Sequence, residues 1–180
     1  MSALWSLAPM ATLSHRALRE LILHYGSGPD LFYTEMIGAA AYLNGGPFER
    51  YYDDAGPLPE RVVFQLVGDD IDEMSRVASI LSRKDCAGID LNMGCSAPEI
   101  IRAGGGMAWF RTPGRAQRLV SSVRAVTGKR LSVKLRAGWE RDADALVSFC
   151  RGLVDAGADA LTLHGRLATQ KFKGKCRLSY

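Results

Sequence analysis

The chain has 180 residues, 47% of them hydrophobic and 23% charged, with a formal net charge of +4, a composition that suits one globular domain able to bury its core without disulfides. No stretch approaches the roughly 18 unbroken apolar residues of a membrane span, and the N-terminus MSALWSLAPM has neither a basic start nor a long apolar run, so neither a membrane span nor a secretory leader is expected and the chain reads as cytoplasmic. Cys86, Cys95, Cys150 and Cys176 share no CxxC or Cys/His metal spacing; free thiols and no metal are expected.

Short apolar, β-branched runs at 6–11, 31–37, 62–68, 88–94, 131–138 and 160–166 predict strands. Amphipathic segments at 14–25, 70–83, 113–127 and 142–156 predict helices between them. Ser14 and Asp142 are the expected N-caps, and Gly26, Gly128 and Gly157 the C-terminal stops. The second and fourth connections are looser and rich in Gly and Pro. Strands that read as continuous apolar runs and alternate with helices imply a parallel sheet covered on both faces.

A doubly wound open sheet and a (β/α)8 barrel both satisfy that order. Glu35, Gln65, Asn92, Lys134, Arg136, His164 and Arg166 fall at or near the C-terminal ends of successive predicted strands. An open sheet gathers ligands at one switch point, whereas in a barrel every strand end faces one mouth. No GxGxxG follows the first strand. The expected fold class is α/β, a TIM (β/α)8-type barrel, and an incomplete one with about six β/α units, because the chain stops fourteen residues after the sixth predicted strand. Unclosed, such a barrel exposes two sheet edges and is expected to aggregate.

The segment GIDLNMGCSAP over 88–98 delivers Asn92 and then Cys95 into a turn at the barrel mouth, with Gly94 letting the backbone bend. A thiol there can give a proton to a carbon or act as a nucleophile; a lone cysteine is more commonly a small buried hydrophobe. Two stretches are basic. Nine Lys or Arg and one acid, Glu140, lie between Arg111 and Arg141, and from Leu161 onward Arg166, Lys171, Lys173, Lys175 and Arg177 meet no acid. Singly these are solvated surface; together they fit a phosphate-backbone footprint.

DLNMGCSAP resembles the signature turn of the FMN-dependent tRNA-dihydrouridine synthases, whose catalytic cysteine lies in Asn-x-Gly-Cys-Pro. Leu7-Ala8-Pro9-Met10, Thr34-Glu35-Met36, Val63-Phe64-Gln65-Leu66, Lys134-Leu135-Arg136-Ala137-Gly138-Trp139 and His164-Gly165-Arg166, followed by Gln170 and Lys173-Gly174-Lys175, resemble that family's other strand ends, in order. Ser96 stands where the family shows proline after the cysteine, and Thr12 and His15 where it shows Gly and Asp.

The resemblance implies an enzyme that reduces uridine in tRNA to 5,6-dihydrouridine, NADPH (or NADH) reducing FMN, FMN N5 passing hydride to C6, and Cys95 protonating C5 as general acid. It implies FMN contacts from Ala8, Pro9, Met10, Gln65, Lys134 and His164, and uracil or phosphate contacts from Asn92, Arg136 and Arg166. Residues 1–180 would be the N-terminal portion of the FMN-binding catalytic domain, without the family's C-terminal helical tRNA-binding domain; the full-length protein would be a monomer. A chain ending here would bind FMN poorly. The alternatives are an RNA-binding remnant without flavin, and an FMN barrel of the dihydroorotate dehydrogenase type acting on a free pyrimidine.

Overall fold

The computed structural model describes residues 3–171 and 173–177. Among them six parallel strands run in the order β1 (Ser6–Leu7), β2 (Leu31–Gly38), β3 (Val62–Val67), β4 (Gly88–Met93), β5 (Arg130–Arg136) and β6 (Ala160–His164), each paired with the next. A doubly wound sheet reverses its order at a switch point. This one never does, and the strands curl as an incomplete (β/α)8 barrel. The helices are α1 (Arg16–Tyr25), α2 (Ala39–Leu43), α3 (Glu49–Tyr52), α4 (Ile71–Ser82), α5 (Pro98–Arg102), α6 (Pro113–Val126) and α7 (Ala143–Asp155). The loose second and fourth connections hold the short helices α2, α3 and α5.

Alternation along the strands separates two faces. Phe64, Leu66, Ile89, Leu91, Met93, Leu131, Val133 and Leu135 point outward and are fully buried in one core with Met74, Val77 and Leu81 of α4 and Leu119, Val120 and Val123 of α6. The same strands send Gln65, Asp90, Asn92, Ser132, Lys134 and Arg136 to the concave side. A closed barrel usually fills that side with branched aliphatic residues; here it is polar.

Three local expectations need correction. The first strand pairs over two residues only, because Pro9 has no N–H to donate and the chain leaves the sheet. The N-cap of α1 is His15, whose Nδ1 accepts from Leu18 N at 3.4 Å, while buried Ser14 ties down the preceding loop through Met10 N at 2.9 Å and Met10 O at 3.0 Å. Asp142 does cap α7, accepting from Ala145 N at 2.8 Å. Finally, β2 carries a bulge: Tyr33 pairs with Val63 but Met36 with Gln65. One extra residue reverses the parity, so Tyr33 and Met36 both face inward. Glu35 is thereby turned away from the mouth and accepts from Thr12 N at 2.6 Å.

The outermost strands are the exposed part of the sheet. Leu163 of β6 is 43% exposed, and Trp5 beside β1 is 74% exposed.

Candidate active site

A chain of side-chain hydrogen bonds crosses the concave face of β3, β4 and β5. Ser132 Oγ donates to Asp90 Oδ1 at 2.6 Å, and Gln65 Nε2 donates to Asp90 Oδ2 at 2.6 Å. Asn92 Nδ2 donates to Gln65 Oε1 at 2.9 Å, and Asn92 Oδ1 accepts from Gly94 N at 3.1 Å and Cys95 N at 2.9 Å. All four side chains are buried, so each bond replaces one that water cannot make. Burial pushes the Asp90 carboxyl up to about 6, although the hydrogen bonds from Ser132 and Gln65 and the charge of Lys134 pull it back.

The turn that carries Cys95 is held by main chain as well. Arg136 Nε donates to Gly94 O at 3.0 Å, and Arg136 Nη1 to Leu167 O at 3.3 Å and Lys171 O at 2.9 Å. Met107 N donates to Cys95 O at 2.9 Å. Gly94 serves close approach rather than an unusual bend: a Cβ there would lie 3.3 Å from the backbone of Leu135 and from Lys134 O, which would have to give by a few tenths of an ångström. At Gly106 glycine is required twice over, by φ +54 and because a Cβ would stand 2.5 Å from Cys95 O.

Cys95 opens into a cavity of about 540 Å³ lined by Pro9, Met10, Met36, Gln65, Asn92, Lys134, Arg136, His164 and Lys171, among others. Lys134 is half-buried, and its ammonium makes no hydrogen bond among the described residues. Burial holds its ammonium below the usual value, with Asp90 pulling the other way and Arg136 adding to the loss. His164 is brought down to about 4, first by burial and then by the charges of Arg136, Lys134 and Arg166. It is therefore neutral near pH 7, and its Nε2 lies 3.3 Å from Arg166 Nη1, where it accepts.

Of the residues nominated from sequence, Pro9, Met10, Gln65, Asn92, Cys95, Lys134, Arg136 and His164 share this one cavity. Ala8 is exposed and does not line it. Arg166 stands outside the lining, its Nε and Nη2 donating to Gly174 O at 3.2 and 3.0 Å. Glu35 lines a different cleft, with Tyr51 and Asp54. Asp90 and Ser132 were missed, although an acid inside an apolar strand run demands a partner and could have been flagged on that ground.

The basic stretch from Arg111 to Arg141 does not form one surface. Arg124, in the last turn of α6, binds Asp159 Oδ2 at 2.9 Å and Lys129 O at 2.6 Å, and Lys129 reaches Cys86 O at 3.2 Å. These groups and Arg130 gather where β4, β5 and β6 begin, at the end of the barrel opposite the cavity. Arg111, which stacks on Trp139 at 3.9 Å from its ring centroid, follows the mouth side. All four cysteines are free. No group of three or more His, Cys, Asp or Glu among the described residues could hold a metal ion, and no described helix is long and apolar enough to cross a membrane.

Parallel strands in barrel order, with polar side chains converging on one cavity at their C-terminal ends, define the class: a (β/α)8-barrel protein whose site lies at the mouth. The chain belongs to the dihydrouridine synthase (Dus) family, whose model matches residues 6–180. It is similar to the probable tRNA-dihydrouridine synthase 1 of Synechocystis sp., 31% identical over 172 residues that cover 94% of this chain and 47% of that protein. Similar too are the probable tRNA-dihydrouridine synthase of Rhodobacter capsulatus, 30% identical with 93% and 52% covered, and tRNA-dihydrouridine synthase B of Pasteurella multocida, 28% identical with 94% and 50% covered. The chain thus spans about half the length of the curated relatives it matches.

Proposed function

We propose that this chain is the N-terminal portion of the catalytic domain of a tRNA-dihydrouridine synthase, which reduces a uridine of tRNA to 5,6-dihydrouridine with FMN as bound cofactor and NADPH or NADH as reductant. Family membership and the names of the relatives support the reaction class. The observation that carries the reading is the convergence of Cys95, on a turn held by Asn92, with Met10, Gln65, Lys134 and His164 around one cavity.

The residues fit FMN. The cavity of about 540 Å³ falls within the range of roughly 300–1,000 Å³ usual for cofactor sites. Pro9, Met10 and Met36 offer apolar surface to a flat ring system. Gln65 keeps one Nε2 hydrogen and one Oε1 lone pair after its interior bonds, enough to meet a ring edge. Lys134, whose half-buried ammonium has no hydrogen-bond partner among the described residues, is matched by an anionic group. When bound, FMN supplies the reducing equivalents for the C5–C6 double bond of uracil, and NADPH replenishes them.

The chain's own residues do the rest. Cys95 gives its thiol proton to C5 as general acid. The thiolate left behind faces the charges of Lys134 and Arg136, each of which senses the cysteine. Asn92, from the cavity wall, holds the uracil carbonyls, and Arg166, outside the lining, holds an adjacent phosphate. Arg136 acts first on the turn, through Gly94 O, and only then on the substrate. A base must leave the tRNA stack to reach the mouth, and Lys171, Lys173, Lys175 and Arg177 beside it supply backbone contacts.

The test is to incubate the purified protein with FMN, NADPH and unmodified tRNA and to measure dihydrouridine by mass spectrometry. Cys95→Ala is expected to lower the rate by about 10²–10⁴-fold while flavin absorbance on the protein is retained. An undiminished rate in C95A removes the proton donor from the proposal. Turnover of free orotate or uracil in place of tRNA favours the dihydroorotate dehydrogenase type, and salt-sensitive tRNA binding without flavin favours an RNA-binding remnant.

A further inference from the structure

We infer that Asp90 is a positioning residue for the Cys95 thiol, acting through the side-chain amides of Gln65 and Asn92. The inference rests on the reading of Cys95 as the reactive thiol. Neither amide has an intrinsic preference for which end points where, since oxygen and nitrogen are nearly the same size. Above about pH 6 Asp90 is ionised, and a carboxylate has such a preference, because it only accepts.

With Ser132 Oγ on one Asp90 oxygen at 2.6 Å, the other oxygen at 2.6 Å must face the nitrogen end of Gln65. Gln65 then has to offer its oxygen to Asn92, 2.9 Å away, and Asn92 has to answer with its nitrogen. That leaves Asn92 Oδ1, and not an NH₂ group, for the Gly94 and Cys95 amides at 3.1 and 2.9 Å. A flip of Gln65 alone would set N–H against N–H at Asn92 and oxygen against oxygen at Asp90. A flip of Asn92 alone would set N–H against the two backbone amides of the turn. The members are buried, so water does not repair a mismatch. The polarity of one acid, five residues before the cysteine, thus sets the pose of the turn by which the cysteine is presented.

The readout is the rate at which iodoacetamide alkylates Cys95 in the purified protein, resolved by peptide mass mapping, with half-buried Cys150 on α7 as internal control. Asp90→Leu removes the acceptor and Gln65→Met cuts the relay. Each is expected to free the turn and speed Cys95 alkylation by about fivefold or more, the equivalent of about 1 kcal/mol of coupling, with the Cys150 rate unchanged. D90L/Q65M is expected to be no faster than either single variant. Asp90→Asn is expected to restore the wild-type rate, since its oxygen can face Gln65 and its NH₂ can face Ser132, whose hydroxyl turns toward Tyr33 at 3.5 Å.

A wild-type Cys95 rate in D90L, equal acceleration of Cys95 and Cys150, additive single effects, or failure of D90N to restore the rate would each overturn the inference. If D90L does not fold, Asp90→Ser takes its place with the same expected outcomes. Because the thiol is read directly, a protein that fails to reduce tRNA still tests the relay.

Discussion

The middle and the margins of this sheet are built on different terms. Every residue of β3 and β4 is buried, and the groups of their concave face answer one another through side-chain hydrogen bonds. β1 and β6 contain no buried residue; β1 reaches the site through the loop that follows it, at Pro9–Met10, and β6 through its last residue, His164. The part of the cavity that holds the thiol is accordingly preorganised by the interior. The part beside β1 and β6 rests on less buried strands, and its loops are tied back individually, by Ser14 at Met10 and by Arg136 at Leu167 O and Lys171 O.

The comparison breaks if removing apolar bulk costs the same in both places. Leu91→Ala, in the fully buried middle, is expected to lose about 2–5 kcal/mol of stability. Leu163→Ala, on the exposed margin, is expected to lose less than about 1 kcal/mol. Denaturant titration of the two variants measures the difference.

Titration sharpens it further. The folded-state value of Asp90 is raised from 3.8 to about 6, so the fold prefers the neutral acid. Its favourable contribution is complete below 3.8 and is lost as pH rises through 6. The gap corresponds to about 3 kcal/mol. The stability of D90N relative to the unaltered protein should therefore improve by that order between pH 4 and pH 7.5, and a constant difference would deny the burial. His164 works in the opposite sense: its value is depressed to about 4, so its contribution is present above 6.5 and disappears as pH falls toward 4. Thermal melts of His164→Gln should show a shallower loss across that window. The smallest expected effect is at Thr12, a β-branched residue at φ 64. Thr12→Gly, which relieves that conformation and keeps the N–H to Glu35, should gain up to about 1 kcal/mol.

The six strands, the four longer helices and the barrel order were legible because apolar runs and cap residues are local signals. Eight of the ten nominated site residues meet in one cavity because strand ends and turn motifs are local too. What escaped was nonlocal or a matter of parity. Asp90 is explained only by Gln65, 25 residues earlier, and Ser132, 42 residues later. The bulge in β2 hid from a count of alternation, so Glu35 was expected at the mouth although its carboxylate serves Thr12. The basic run of 111–141 passes from one end of the barrel to the other, and linear charge density cannot tell the two ends apart. Thr12 and His15, which depart from the family pattern, occupy a left-handed position and a helix cap, where glycine and aspartate are the better formers.

Gly94 and Gly106 flank the cysteine with bare backbone, one against β5 and the other against Cys95 O. The sulfur's address is therefore written in main chain on both sides. Side chains around the rim can be exchanged without displacing it, whereas one added methyl group at position 106 would shift it and leave every named contact residue in place.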